Sequence, residues 1–162
     1  MAGCDFNPRW FWTQYNIKSV LQVLPSLNKP VFHVCSGISN IGDVRIDRSY
    51  IKLPFDNKYW IDYQGSCNIQ GDMHNLPFKS GVAGSVICDP PYDYDFTDET
   101  LINELVRICK PKGKILFISP WIPNNKNITV INTELWKVGK NRPYFKIRTL
   151  FYKSNGQISD YA

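Results

Sequence analysis

The stretch GVAGSVICDPPY, residues 81–92, carries the most information about the fold. Within it, the run Ser85–Cys88 is short, apolar and ended abruptly by two prolines, which is typical of a buried central strand. Asp89 follows this run directly, so its carboxylate is expected at the carboxyl end of that strand. Ligands of open α/β sheets bind at that end of the strands. The stretch therefore predicts a sheet and the place of a site on it.

Upstream of this strand, the sequence predicts a helix and further short strands. NIKSVLQVLP has apolar residues at helical spacing, which predicts a helix over about residues 14–24. VFHVC (31–35) and GDVRID (42–47) are typical of buried strands, and CNIQG (67–71) resumes the pattern after an irregular aromatic segment.

Downstream, the apolar spacing between Thr97 and Cys109 predicts an amphipathic helix that stops at the sequence KPKG, residues 110–113. KILFIS (114–119) then predicts another buried strand, and stretches around 133–138 and 146–153 predict an antiparallel hairpin at a sheet edge. Strand and helix alternate, so we expect a single α/β domain with a mostly parallel sheet. In this interpretation residues 1–29 form a helical segment, 30–120 the core and 121–162 basic edge strands.

Length and composition indicate a single globular domain and argue against a membrane-spanning or secreted protein. The chain has 162 residues, of which 43% are hydrophobic, enough for one core without disulfide bonds. It has no apolar run long enough to cross a membrane and no secretory signal pattern, so we expect a cytoplasmic protein with no membrane partner. The five cysteines are scattered without a C-x-x-C pair, which favours reduced thiols over a zinc site.

Charge is distributed unevenly along the chain. Residues 105–162 contain 11 basic and 2 acidic side chains, interleaved with aromatic residues. This pattern is typical of a surface that contacts phosphates and stacks on bases, and equally of a solvated strand face. The candidate nucleic-acid contacts are Lys140, Arg142 and Lys146.

Four polar groups stand just past predicted strand ends and are expected to line one crevice. They are Ser36–Gly37, Asp47, Asp72 and the DPPY sequence at residues 89–92.

In these positions the chain resembles the class I methyltransferases that use S-adenosylmethionine, and specifically the amino-methyltransferases that act on adenine N6 or cytosine N4. The resemblance rests on VFHVCSG (31–37), Asp47, the Gly71-Asp72 pair, DPPY (89–92) and the helix, turn and strand of residues 107–119. It covers about residues 30–120 and implies a Rossmann-like fold.

The resemblance also implies how S-adenosylmethionine is bound. Asp47 would accept the ribose hydroxyls, Asp72 the adenine amino group, and Met73 would pack on the adenine ring. Asp89 is also expected among the residues that bind the cofactor. The loop Cys35, Ser36 and Gly37 would let backbone approach the methionine portion, because glycine lacks a Cβ.

The DPPY sequence suits an exocyclic aryl amine as methyl acceptor. Such an amine is a weak nucleophile because its lone pair is delocalised, so a site must hold it with acceptors and aim it. The Asp89 carboxylate and Pro90 carbonyl supply two acceptors, Pro91 with Pro90 restricts the backbone, and Tyr92 offers a ring for stacking a flipped base. No metal is required, and the acidic residues after Tyr92 are explained by helix-start charge and loop solvation. His33 and His74 are expected to be structural or peripheral.

Two features depart from the family pattern. Only six residues separate Gly37 from Val44, too few for an ordinary helical crossover between parallel strands, so either that helix is missing or GDVRID is not the usual second strand. The chain also has no room for a separate target-recognition domain. Specificity would then come from residues 48–66, the basic last third or a partner chain, such as a second copy in a homodimer.

The sequence thus predicts a methyltransferase that uses S-adenosylmethionine and acts on the N6 amino group of adenine in DNA. Alternatives that keep the chemistry are methylation of an adenine or guanine amino group in RNA, or of cytosine N4 in DNA. A non-enzymatic alternative is an inactive nucleic-acid-binding subunit of a methyltransferase complex.

Overall fold

The computed structural model describes residues 14–37, 39–48, 67–91, 99–137 and 145–154. In chain order, the elements are α1 (Gln14–Val23), a 3₁₀ turn (Leu24–Ser26), β1 (Val31–Val34), β2 (Val44–Asp47), β3 (Ile69–Gln70), β4 (Ala83–Cys88), α2 (Glu99–Ile108), β5 (Cys109–Ser119), β6 (Ile128–Lys137) and β7 (Phe145–Lys153).

The strands form one seven-stranded sheet in the order β3-β2-β1-β4-β5-β7-β6. The five strands from β3 to β5 in this order pair in parallel, whereas β7 pairs antiparallel with both β5 and β6. The prediction of a single α/β domain with a mostly parallel sheet and an antiparallel edge hairpin is confirmed.

The connection between β1 and β2 decides between the two explanations for the short spacing from Gly37 to Val44. The two strands are parallel neighbours, with Phe32 opposite Val44. The described part of the connecting segment, residues 35–37 and 39–43, contains no helix. Cys35 and Gly37 instead take left-handed backbone conformations, with φ of 56° and 53°. GDVRID therefore is the second strand, and the helix that usually precedes it is missing.

The two helices pack on opposite faces of the sheet. On β4, Val86 belongs to the apolar cluster that contains α2, whereas the next residue, Ile87, belongs to the cluster that contains Val20 of α1. Because successive strand residues point to opposite faces, this alternation puts one helix on each side. All six residues of β4 are buried as a result, which is why its sequence is continuously apolar or small.

A close backbone approach joins the segment after α1 to β4. A Cβ on Gly84 would lie 2.3 Å from the carbonyl oxygen of Lys29, so only glycine fits there. Beside it, the amide of Asn28 donates to Ser85 Oγ over 2.8 Å. These contacts fix the chain where it enters β1.

Within the described ranges, no helix has both the length and the apolar character needed to cross a membrane.

Candidate functional site

The loop after β1 is bound to the acidic residue that ends β2. The amide of Gly37 donates to Asp47 Oδ2 over 2.7 Å, and the amide of Arg48 donates to Asp47 Oδ1 over the same distance. The amide of Ser36 donates to the carbonyl of Ile46. Around the position that a Gly37 Cβ would take, the described residues leave at least 4 Å of space. Backbone of this loop is therefore open to a ligand.

Ser36 adds a buried hydroxyl to the same loop. Ser36 is only 4% exposed, and its Oγ has no hydrogen-bond partner among the described residues. Leaving a buried hydroxyl unsatisfied costs free energy, so polar groups in such positions usually meet a ligand or water. The amides of Ser36 and Gly37 already donate within the protein, so the Ser36 hydroxyl is the group of this loop that a polar small molecule or water would satisfy.

The turn after β3 approaches the loop after β1. Cys35 Sγ lies 3.4 Å from Met73 Sδ, across the end of β2. Asp72 begins the turn, where its Oδ1 accepts from the amide of His74 over 2.9 Å. The Asp72 side chain is 67% exposed, so its carboxylate faces solvent at the rim of the site.

Helix α2 holds the segment that carries Asp72 and Met73. Arg107 donates to the carbonyls of Phe78 (2.7 Å) and Leu76 (3.0 Å), while Glu104 Oε2 accepts from the amide of Leu76 over 2.9 Å. Arg107 Nε also lies 2.7 Å from Glu104 Oε1. The hydrogen bond between the two side chains lowers the pKa of Glu104 and raises that of Arg107, so both remain charged at neutral pH.

Asp89, directly after β4, is paired with a lysine from β7. Lys146 Nζ lies 3.0 Å from both carboxylate oxygens of Asp89. The two side chains are only 6% and 13% exposed. Because Ile147 pairs with Ser119 at the end of β5, β7 begins at the carboxyl end of the central strands and brings Lys146 to Asp89.

His33 lies on β1 in the interior of the sheet. Its Nδ1 is 3.0 Å from the carbonyl oxygen of Ile41, and the residue is 1% exposed. Burial lowers the pKa of His33 to about 4, which the Ile41 hydrogen bond and the charge of Asp89 only partly offset. The imidazole is therefore neutral at physiological pH.

The ends of β1, β2 and β4 lie side by side, because Val34 pairs with both Ile46 and Cys88. Burial is the main cause that raises the pKa of Cys88 well above its usual value, and a side-chain hydrogen bond with Cys35 is the next. The charges of Asp89 and Asp47 raise the pKa of Cys88 further. The thiol of Cys88 therefore interacts with Cys35 after β1, Asp47 at the end of β2 and Asp89 after β4. The order of the strands places these residues at the same edge of the sheet.

The structure brings most of the predicted site residues together. Those that meet at this edge, through the contacts above, are Cys35, Ser36, Gly37, Asp47, Met73 and Asp89, with Asp72 at the rim. Pro90 is buried and Pro91 exposed immediately after Asp89. Tyr92, Lys140 and Arg142 lie outside the described residues.

Lys146 has a place different from the one expected for a nucleic-acid contact. Its ammonium is buried against Asp89 and so does not belong to an exposed basic surface. Sequence reasoning missed this pair. The signal was the alternation in KIRTL, which puts Lys146 and Arg148 on the same strand face as the apolar Leu150. Basic residues on a core-facing stripe indicate buried acidic partners.

In the described part of the chain, no three His, Cys, Asp or Glu side chains are arranged to hold a metal ion. The acidic residues Asp93, Asp95 and Asp98 lie in the segment that the structure does not describe.

Comparison with known proteins identifies the fold. No family model and no curated protein matches the chain. Among solved structures, a SAM-dependent methyltransferase from Methanosarcina mazei matches with a TM-score of 0.56 at 8% identity, over 82% of this chain and 97% of that one.

Two further structures give the same result. A Bacillus halodurans protein assigned as a methyltransferase matches with a TM-score of 0.59 at 13% identity, over 86% of this chain and 99% of the other. An Escherichia coli protein with the same assignment gives 0.54 at 14%, over 89% and 88%. The chain therefore has the Rossmann-like methyltransferase fold, and identities this low show the fold alone.

Proposed function

We propose that this protein transfers a methyl group from S-adenosylmethionine to the exocyclic N6 amino group of adenine in DNA. The observation that carries the proposal is the nearly buried Asp89 carboxylate, which directly follows β4 and precedes two prolines. It adjoins the loop after β1, because Val34 and Cys88 pair at the ends of the two strands. This arrangement places hydrogen-bond acceptors beside a polar binding loop on a methyltransferase fold.

The residues at the ends of β1, β2 and β3 fit S-adenosylmethionine. Asp47 provides a carboxylate at the position suited to two ribose hydroxyls, and its two amide hydrogen bonds hold it in place. The unsatisfied Ser36 hydroxyl and the open Gly37 backbone would hold the methionine portion, and Met73 would pack on the adenine ring. When bound, this cofactor supplies an electrophilic methyl group attached to a sulfonium.

The residues after β4 provide what an aryl amine needs. The Asp89 carboxylate and the Pro90 carbonyl accept its two N–H groups, and the consecutive prolines keep these acceptors from rotating away. Fixed acceptors orient the nitrogen lone pair toward the electrophile and stabilise the positive charge that develops on nitrogen. As the nitrogen–carbon bond forms, the bond from the methyl group to sulfur breaks and leaves a neutral thioether. No separate strong base is required, because the methylated nitrogen is acidic and releases its proton to water.

The test is nucleoside mass spectrometry after incubation of the protein and S-adenosylmethionine with duplex DNA, single-stranded DNA and RNA in parallel. We expect N6-methyladenine in a DNA pool. A methylated base in RNA alone, or N4-methylcytosine, would keep the chemistry and replace the substrate. A protein that binds the cofactor but methylates none of the three pools would overturn the proposal in favour of a nucleic-acid-binding subunit.

Asp89→Ala tests the assignment of the acceptor. We expect it to abolish methyl transfer per folded molecule while DNA affinity stays within about twofold of that of the original protein. Asp43→Ala is the matched control, because Asp43 lies at the opposite end of the sheet, where Oδ2 accepts from the amide of Val31 over 2.7 Å. An unchanged rate in Asp89→Ala would exclude Asp89 as the acceptor.

A further inference from the structure

The pair formed by Asp89 and Lys146 differs from an ordinary surface ion pair. Its two nitrogen–oxygen distances are both 3.0 Å, so the ammonium bridges the carboxylate oxygens symmetrically. Both side chains are almost completely removed from water, at 6% and 13% exposure. Removal from water makes the mutual interaction strong and leaves either charge costly without the other.

The lysine is held by the sheet rather than by a loop. Lys146 pairs with Trp136 across the β6–β7 ladder, and the Trp136 side chain is fully buried. Two residues further along β7, the buried Arg148 pairs with Glu134, which is 29% exposed, at 2.8 Å. Strand pairing therefore fixes the backbone of Lys146. The buried ammonium in turn holds the Asp89 carboxylate through their contact.

A bridging ammonium does not by itself close a carboxylate to a substrate. An ionised carboxylate has about four lone-pair sites on its two oxygens, and an ammonium 3.0 Å from both oxygens takes one on each. A carboxylate held in this way can accept from an amine N–H while the ammonium stays in place. The ammonium fixes the plane of the carboxylate, and with it the direction in which the lone pairs point.

We propose that Lys146 is a positioning residue for methyl transfer, which holds the Asp89 carboxylate in the orientation that accepts from the amine. The inference rests on the proposed function.

Lys146→Met tests the inference directly. We expect kcat to fall by about tenfold to a hundredfold, the range for the loss of a polar group that supports a transition state, with KM and cofactor affinity within about twofold. Lys146→Arg keeps the charge and is expected to recover most of the loss. Arg148→Met is the matched control, since it removes a buried cation from an ion pair on the same strand face and should lower stability without lowering kcat per folded molecule.

A second pair of variants keeps the test valid if Lys146→Met folds poorly. Asp89→Asn preserves a carbonyl acceptor that needs no counter-charge. If Lys146 acts through Asp89, adding Lys146→Met to Asp89→Asn should lower kcat by less than about twofold or raise it. The same loss from Lys146→Met in both backgrounds would show that the lysine acts independently of Asp89 and would overturn the inference.

The outcomes separate this inference from the proposed function. If the unmodified protein methylates DNA and Lys146→Met keeps its kcat, the positioning role is wrong and the proposed function stands. If Lys146→Met and Arg148→Met lower kcat equally, the lysine is only structural. If the unmodified protein methylates no base, both proposals are overturned.

Discussion

His33 shows how burial at a single residue links stability to pH. Its pKa is lowered from 6.5 to about 4, mainly because the folded protein removes the imidazole from water. Below pH 6.5 His33 binds a proton in the unfolded chain, whereas in the folded protein it stays neutral until the pH approaches 4. The stability associated with this residue is therefore complete above pH 6.5 and is lost as the pH falls toward 4.

We predict that this loss can be measured by urea unfolding between pH 7 and pH 4. The linkage amounts to about 3 kcal/mol for a shift of this size. His33→Gln removes the titrating group, so the difference in unfolding free energy between the original protein and the variant should shrink by about that amount across the interval. Other groups titrate in both proteins and cancel in the difference. Parallel curves for the two proteins would contradict the assignment.

At the same scale, the sequence predicted the position of Asp89 but not its partner. An acidic residue just past an apolar strand is recognisable from local pattern, because the strand end and the prolines are adjacent in sequence. Lys146 is 57 residues away, and its contact with Asp89 depends on the register of β7 against β5. That register is a property of the assembled sheet.

At the scale of elements, α2 acts on the site through Arg107. Its guanidinium binds two carbonyls of the segment that carries Asp72 and Met73. We predict that Arg107→Met leaves the helix intact but frees this segment, so that S-adenosylmethionine binds about tenfold more weakly, the cost of about one charged hydrogen bond. Calorimetric titration measures the effect.

Lys110→Met provides the comparison for this prediction. Lys110 is an exposed basic residue at the start of β5, three positions after Arg107. It should leave cofactor affinity unchanged. Equal weakening in both variants would mean that loss of positive charge, rather than release of the segment, lowers the affinity.

Most helices and strands could be predicted from local sequence patterns, whereas the contacts that connect them could not. Helix α2 is predicted over Thr97–Cys109 and observed over Glu99–Ile108, and the predicted VFHVC strand is observed over Val31–Val34. The spacing between Gly37 and Val44 raised the possibility of a missing helix, which the parallel pairing of β1 and β2 confirms. The bonds of Arg107 to residues 76 and 78 had no sequence signal, since they join a helix to irregular backbone.

At the scale of the whole molecule, the formal net charge of +5 is concentrated in the last third. We predict that duplex DNA binding weakens as salt concentration rises, because basic side chains displace counterions from phosphates. Replacing Lys140 and Arg142 with Gln should weaken binding and reduce the slope of log affinity against log salt by about 2.

Lys146→Gln is expected to behave differently in the same filter-binding titration. Its ammonium is neutralised by Asp89 inside the protein, so its loss should leave the salt slope unchanged. If Lys146→Gln reduces the slope as much as the other two substitutions do together, the lysine contacts phosphate and belongs to the DNA-binding surface. An unchanged slope in the Lys140 and Arg142 variant would mean that those residues are merely solvated.

The late position of β7 in the chain also governs when the site comes into being. During synthesis, β1 to β5 leave the ribosome before the hairpin of β6 and β7, and a domain generally folds as a unit. Until β7 has been made, Asp89 lacks Lys146, its buried partner in the folded protein. Synthesis of β7 is therefore required before this end of the sheet can be completed.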